Sequence, residues 1–99
     1  MKLTSKQRAY LKGLASTQDI VIHIGKGSLT PEVVSAVKEA IDKRELIKIG
    51  VLKNCADDPR AIAEVVAERT KSTVVHVIGK KIVLYKPHKD KPVIKLPVD

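Results

Sequence analysis

The chain has 99 residues, 43% of them hydrophobic and 30% charged, and a net charge of +8. That is one domain with one modest core, and the basic excess points to a polyanionic partner. The lone cysteine, Cys55, excludes an internal disulfide and a cysteine-rich metal site, and no apolar run approaches the length of a signal core or membrane span.

The first helix is expected from about Ser5 to Ala15. Thr4 is a good N-cap, Gln7 stands three residues on to complete a capping box, and Leu3 can staple the entry. Leu11 and Leu14, with Tyr10 or Gln7 beside them, form its apolar stripe. Lys6, Arg8 and Lys12 form a basic outer face. Ile20 to Ile24 reads as the first strand. It ends in Gly25-Lys26-Gly27-Ser28, after which Thr30 caps a second helix with Pro31 in its first turn. Val33, Val37, Ala40 and Ile41 recur at helical spacing. Leu46 to Lys53 reads as the second strand. Asp58-Pro59 repeats the cap-then-proline signal and opens a third helix with Ile62, Ala63, Val66 and Ala67 inward. Thr73 to Ile78 and Ile82 to Tyr85 are two further strands, joined by a tight hairpin at Gly79-Lys80. Residues 86–99, with Pro87, Pro92 and Pro97, read as an extended tail.

The expected order is therefore α-β-α-β-α-β-β in a single α/β domain spanning 1–99. Two strand–helix–strand units favour parallel pairing through right-handed crossovers, and the closing hairpin is antiparallel. The result is a mixed four-stranded sheet packed by helices, with no repeat and no linker.

Charge is unevenly placed. Residues 1–30 carry five Lys/Arg against one acid, residues 71–99 seven against two, and the middle seven against eight. A fold that joins the two ends would make one positive surface. The glycine–lysine loop supplies a second signal. Glycines let a backbone approach a ligand, and helix starts carry unpaired N–H groups, so strand, loop and helix start form a seat for phosphate. With two tyrosines, no Phe and no Trp, base stacking is a poor option, and the grip should fall on phosphates and sugars.

Other constellations are weaker. His23, His76 and His88 with Cys55 lack metal spacing, and His23 reads as a satisfied strand histidine. Cys55 has no base at a recognisable spacing and reads as a free structural thiol. Asp57-Asp58 reads as a helix cap rather than an acid–base pair. No Walker loop occurs. No enzyme, cofactor, metal or small-molecule substrate is implied, and a cytoplasmic monomer without membrane contact is the expectation.

Four blocks carry a family resemblance: SKQRAYLKGLA at 5–15, IHIGKGSLT at 22–30, ELIKIGVL at 45–52 and VIGKKIVLYKP at 77–87. In this order the chain resembles a stand-alone CRM domain (chloroplast RNA splicing and ribosome maturation) of the bacterial YhbY type. The resemblance implies an RNA-binding α/β domain similar in fold to the C-terminal domain of bacterial translation initiation factor three. It also implies association with precursors of the large ribosomal subunit; plant relatives with several such domains act in organelle intron splicing. The family loop reads Gly-x-x-Gly, whereas here Ser28 holds the fourth position and the second glycine is Gly27. Serine resists positive φ but can donate a hydroxyl to phosphate.

The RNA-contact residues expected are Gly25, Lys26, Gly27, Ser28 and Thr30 at the loop, Lys6, Arg8 and Lys12 on the first helix, and Lys80 and Lys81 at the hairpin. The partner expected is ribosomal RNA in large-subunit precursors. Two alternatives share the basic surface: a protein-interaction module docking on an acidic partner, and a DNA-binding module.

Overall fold

A computed structural model describes residues 1–98. The elements run α1 (Ser5–Ser16), β1 (Ile20–Ile24), α2 (Pro31–Arg44), β2 (Leu46–Val51), α3 (Pro59–Thr70), β3 (Thr73–Ile78) and β4 (Lys81–Tyr85). The order is the expected one. β2 stops at Val51 rather than Lys53, because the Cys55 N–H donates to the Leu52 carbonyl and closes a turn.

The capping box of α1 is complete. Thr4 Oγ1 accepts from the Gln7 N–H at 3.1 Å, and Gln7 Oε1 accepts from the Thr4 N–H at 3.2 Å. Thr30 Oγ1 likewise accepts from the Val33 N–H at 3.1 Å and caps α2. Asp58 departs from expectation: it holds the N-cap position of α3, but its side chain makes no capping hydrogen bond. Pro59, with φ preset for the first turn, marks that start without it.

The sheet order is β1-β2-β4-β3. β1 and β2 pair in parallel, as expected, and β3–β4 is the antiparallel hairpin. β2 and β3 run the same way but do not pair, because β4 lies between them, antiparallel to both. Side-chain character explains the insertion. Ile82, Val83, Leu84 and Tyr85 are all buried, which suits a strand covered on both faces. β3, whose Ile78 is 60% exposed, takes the edge.

Strand alternation divides the interior in two. Ile24, Ile47, Ile49, Ile82 and Leu84 pack under α2 and α3. Leu46, Val75, Val83 and Tyr85 pack on the opposite face under Leu3, Leu11 and Ala15 of the α1 segment. Leu14 is only half-buried, and Tyr10 lies outside the stripe, 43% exposed. Arg8 does not belong to the outer face. Its guanidinium donates to the carbonyls of Val74 and Val75, where the register of β3 shifts. A bulge leaves such carbonyls without ladder partners, and Arg8 satisfies them.

Residues 86–98 have no helix or strand; the tail's last residue, Asp99, lies outside the described residues. The tail is tied down by Glu45, for which the sequence suggests no anchoring role. Glu45 ends α2 at φ +63 and is 1% exposed. Its carboxylate accepts three backbone N–H groups, from His88 at 2.6 Å, Val93 at 2.8 Å and Ile94 at 2.8 Å. Ile94 and Leu96 then pack against the α1 core, and Gln7 Nε2 donates to the Pro97 carbonyl. No helix among the described residues is long and apolar enough to cross a membrane.

Candidate nucleic-acid interface

The Gly25–Ser28 loop leaves the end of β1 as a closed turn, with the Ser28 N–H donating to the Gly25 carbonyl at 2.9 Å. Ser28 has φ +53. The serine thus adopts the left-handed conformation that glycine takes without penalty. Ser28→Gly should therefore stabilise the fold by about 0.5–1 kcal/mol, the strain relieved less the entropy of the added glycine. Urea unfolding tests this, and an equal loss of stability would show that the turn is unstrained. Gly27 answers a different need. A Cβ there would stand 3.2 Å from Thr30 Cγ2 and press on the cap of α2.

Lys26 and Gly27 are exposed. Among the described residues, the amides of Lys26, Gly27 and Leu29 donate to no protein acceptor. The start of α2 offers less than its sequence suggests. Pro31 has no N–H, the Val33 N–H goes to Thr30 Oγ1, and the Val34 N–H goes to the Thr30 carbonyl. The first turn also carries the Glu32 carboxylate. The loop amides and the Lys26 ammonium therefore offer an anion more than the helix end does.

Main-chain bonds gather the neighbours of this loop at one end of the sheet. The Leu52 N–H donates to the Ile24 carbonyl at 2.8 Å, and the Val51 N–H to the Lys80 carbonyl at 2.7 Å. The turn after β2 and the Gly79-Lys80 hairpin are thereby held beside the loop. Gly79 takes φ +57, as the hairpin requires. Charge is polarised about the loop. Asp57 and Asp58 share a hollow with Gly27 and Ser28 on the α3 side. Lys80 and Lys81 stand on the α1 side.

The first-helix residues separate. Lys12 overhangs the sheet and shares a hollow with Lys81. Lys6 lies at the other end of the helix, its Nζ 3.4 Å from the Val98 carbonyl. Arg8 is held at the strand edge. Neither reaches the loop end.

The α1 face of the sheet holds residues that sequence reasoning passed over. One row across the strands is Ile20, Lys48, Val83 and His76. The next is His23, Gly50, Lys81 and Ile78. His23 is exposed, not a satisfied strand histidine. Its Cδ2 would lie 3.1 Å from a Cβ at position 50, so Gly50 lets the ring lie against β2. Lys48 is a half-buried lysine in a central strand, legible in the sequence only as the polar interruption of Leu-Ile-Lys-Ile-Gly-Val. Burial, then the positive charges of Lys12, Arg60 and Arg8, hold His76 below the usual imidazole range.

The ion pairs lie elsewhere. Asp42 bonds Lys38 at 3.0 Å and Lys86 at 2.7 Å, and Glu39 faces Lys43 at 3.5 Å, all on the α2 side. Among the described residues, Lys12, Lys26, Lys48, Lys80 and Lys81 have no ion-pair partner, and no cluster of metal-ligating side chains occurs. Cys55 is buried.

The structure is thus a small α/β domain that presents free loop amides and lysines without ion-pair partners at one end of its sheet. The chain belongs to the CRS1/YhbY (CRM) domain family, whose pattern it matches over residues 3–86. It is 38% identical over 95 residues to the Bacillus subtilis protein YqeI, covering 96% of this chain and 99% of that protein. A Haemophilus influenzae protein named "RNA-binding protein" is 34% identical over 88 residues, 89% of each chain. The fold is similar to the solution structure of a hypothetical protein from Staphylococcus aureus, with a TM-score of 0.81 and 41% identity, covering 97% of this chain and all of that one.

Proposed function

We propose that this protein binds RNA without catalysis and acts in assembly of the large ribosomal subunit, as a cytoplasmic monomer on subunit precursors. The observation that carries the proposal is the gathering of Lys26, Lys80 and the free loop amides at one end of the sheet, with no carboxylate partner for either lysine among the described residues. The name of the Haemophilus influenzae relative points the same way. Gly25 to Ser28 would wrap a backbone phosphate, with the Thr30 hydroxyl beside it and Lys80 and Lys81 extending the track. Sequence selectivity would be low, since few groups there can read base edges.

Lys26→Ala should weaken binding to single-stranded RNA by up to about 1.5–3 kcal/mol, the range for a lost charge-assisted contact. The melting temperature should not move, because Lys26 is exposed loop. Unchanged affinity in a folded variant would remove Lys26 from the site. The ribosomal assignment is tested by crosslinking in cells and sequencing the bound RNA, where large-subunit precursors should dominate. Association with ribosomal particles should disappear on nuclease treatment; persistence would favour a protein partner.

A further inference from the structure

Asp57 and Asp58 lie on the α3 side of the loop and Glu32 in the first turn of α2, so a polyanion held at Lys26 would be turned toward the opposite face of the sheet. There two hollows adjoin. One runs from Leu52 past Lys80, and the other reaches Lys12 and Lys48; both are walled by Ile78 and Lys81. No carboxylate lines either hollow. Lys81 is a diagonal neighbour of Lys48 across β2 and β4, a spacing of about 7–8 Å between backbone positions. Charged side chains are seldom buried unless paired, and Lys48 is half-buried in a central strand. It finds no carboxylate partner among the described residues, and Lys12 above it adds a like charge. Such a cluster is stabilised by an anion from outside the fold. Ile78, 60% exposed between the hollows, offers an apolar contact for a sugar or base face.

Given the RNA-binding function proposed above, on which this step rests, we infer that the part of the sheet face left uncovered by α1 is a second contact surface for a single RNA strand, with Lys12, Lys48 and Lys81 on its phosphates and Ile78 under a sugar or base. The strand would run from the Gly25–Ser28 loop past the hairpin and under Lys12. Lys48 and Ile78 lie outside the Gly25–Ser28 loop, on β2 and at the end of β3.

The test is binding of a 12-nucleotide oligouridylate to the full chain across a salt series. Lys48→Gln should lower affinity about three- to tenfold and reduce the slope of log affinity against log salt by about 0.7, one phosphate on a single strand. Lys48→Arg should restore both. Ile78→Ser should weaken binding without changing the slope. Should Lys48→Gln fail to fold, Lys81→Gln on the exposed hairpin carries the same expectation. If Lys26→Ala weakens binding while the Lys48, Lys81 and Ile78 variants do not, the strand leaves the loop by another route; the inference fails and the loop site stands. If the sheet variants weaken binding and Lys26→Ala does not, the sheet face stands and the loop site falls. Equal competition by a 12-residue oligoglutamate would overturn the inference in favour of an acidic protein partner.

Discussion

Glu45→Ala should destabilise the fold by about 3–5 kcal/mol, the largest single-residue effect outside the apolar core. The substitution strands three backbone N–H groups, those of His88, Val93 and Ile94, that now share one buried carboxylate. Alanine would also keep the unfavourable φ of +63 without the hydrogen bonds that hold it there. Glu45→Gln should cost less, about 1.5–3 kcal/mol, because one side-chain oxygen still accepts while the charge is lost. Hydrogen exchange should report the tail 86–98 opening first.

The same carboxylate sets a pH dependence. Burial alone would raise the Glu45 pKa, but the three backbone N–H donors outweigh it, and the group sits below its ordinary value of 4.5. A depressed folded-state pKa means the unfolded chain takes up the proton more readily. The stabilisation is fully present above pH 4.5 and is lost as pH falls through the lower, folded-state value. Denaturation followed between pH 6 and pH 3 should show this loss in the parent chain and a shallower one in Glu45→Gln. Identical profiles would mean that Glu45 is not the group responsible.

The second large effect is on binding. Lys26→Glu with Lys80→Glu should weaken single-stranded RNA binding by about a hundredfold or more, from two charge-assisted contacts of about 1.5–3 kcal/mol each. The salt slope should fall by about 1.4, two phosphates at 0.7 each. Lys38→Glu with Lys43→Glu makes the fair control. It removes the same four units from the net charge of +8, but on the α2 side, where both lysines already face carboxylates. That pair should change affinity much less. Equal losses from the two pairs would show that only total charge matters, and no localised binding face would remain.

Much of this was determined by local sequence. Thr4 with Gln7 and Thr30 with Pro31 set two helix starts because caps act within one turn of chain. Gly79 set the hairpin for a similar reason, as the only residue of its two-residue loop free to take positive φ without strain. The Gly-Lys-Gly-Ser loop was legible because it lies in consecutive residues, and the family because four such blocks stand in order along the chain. Asp58 shows the limit: the right residue at a cap position makes no capping bond.

Only the tertiary structure decided the rest. The insertion of β4 between β2 and β3 depends on which strand can be buried on both faces, a competition between distant segments. Arg8 looked like its neighbours Lys6 and Lys12 on a basic helix face, yet the bulge in β3 takes its guanidinium. Glu45 became an anchor because 43 to 49 residues further on the chain returns with unpaired amides. The lysines of the α1 face come from a helix, a central strand and a hairpin, 33 positions apart between Lys48 and Lys81. Separation of that kind carries no local signal, because a shared surface exists only after strand pairing has set the register.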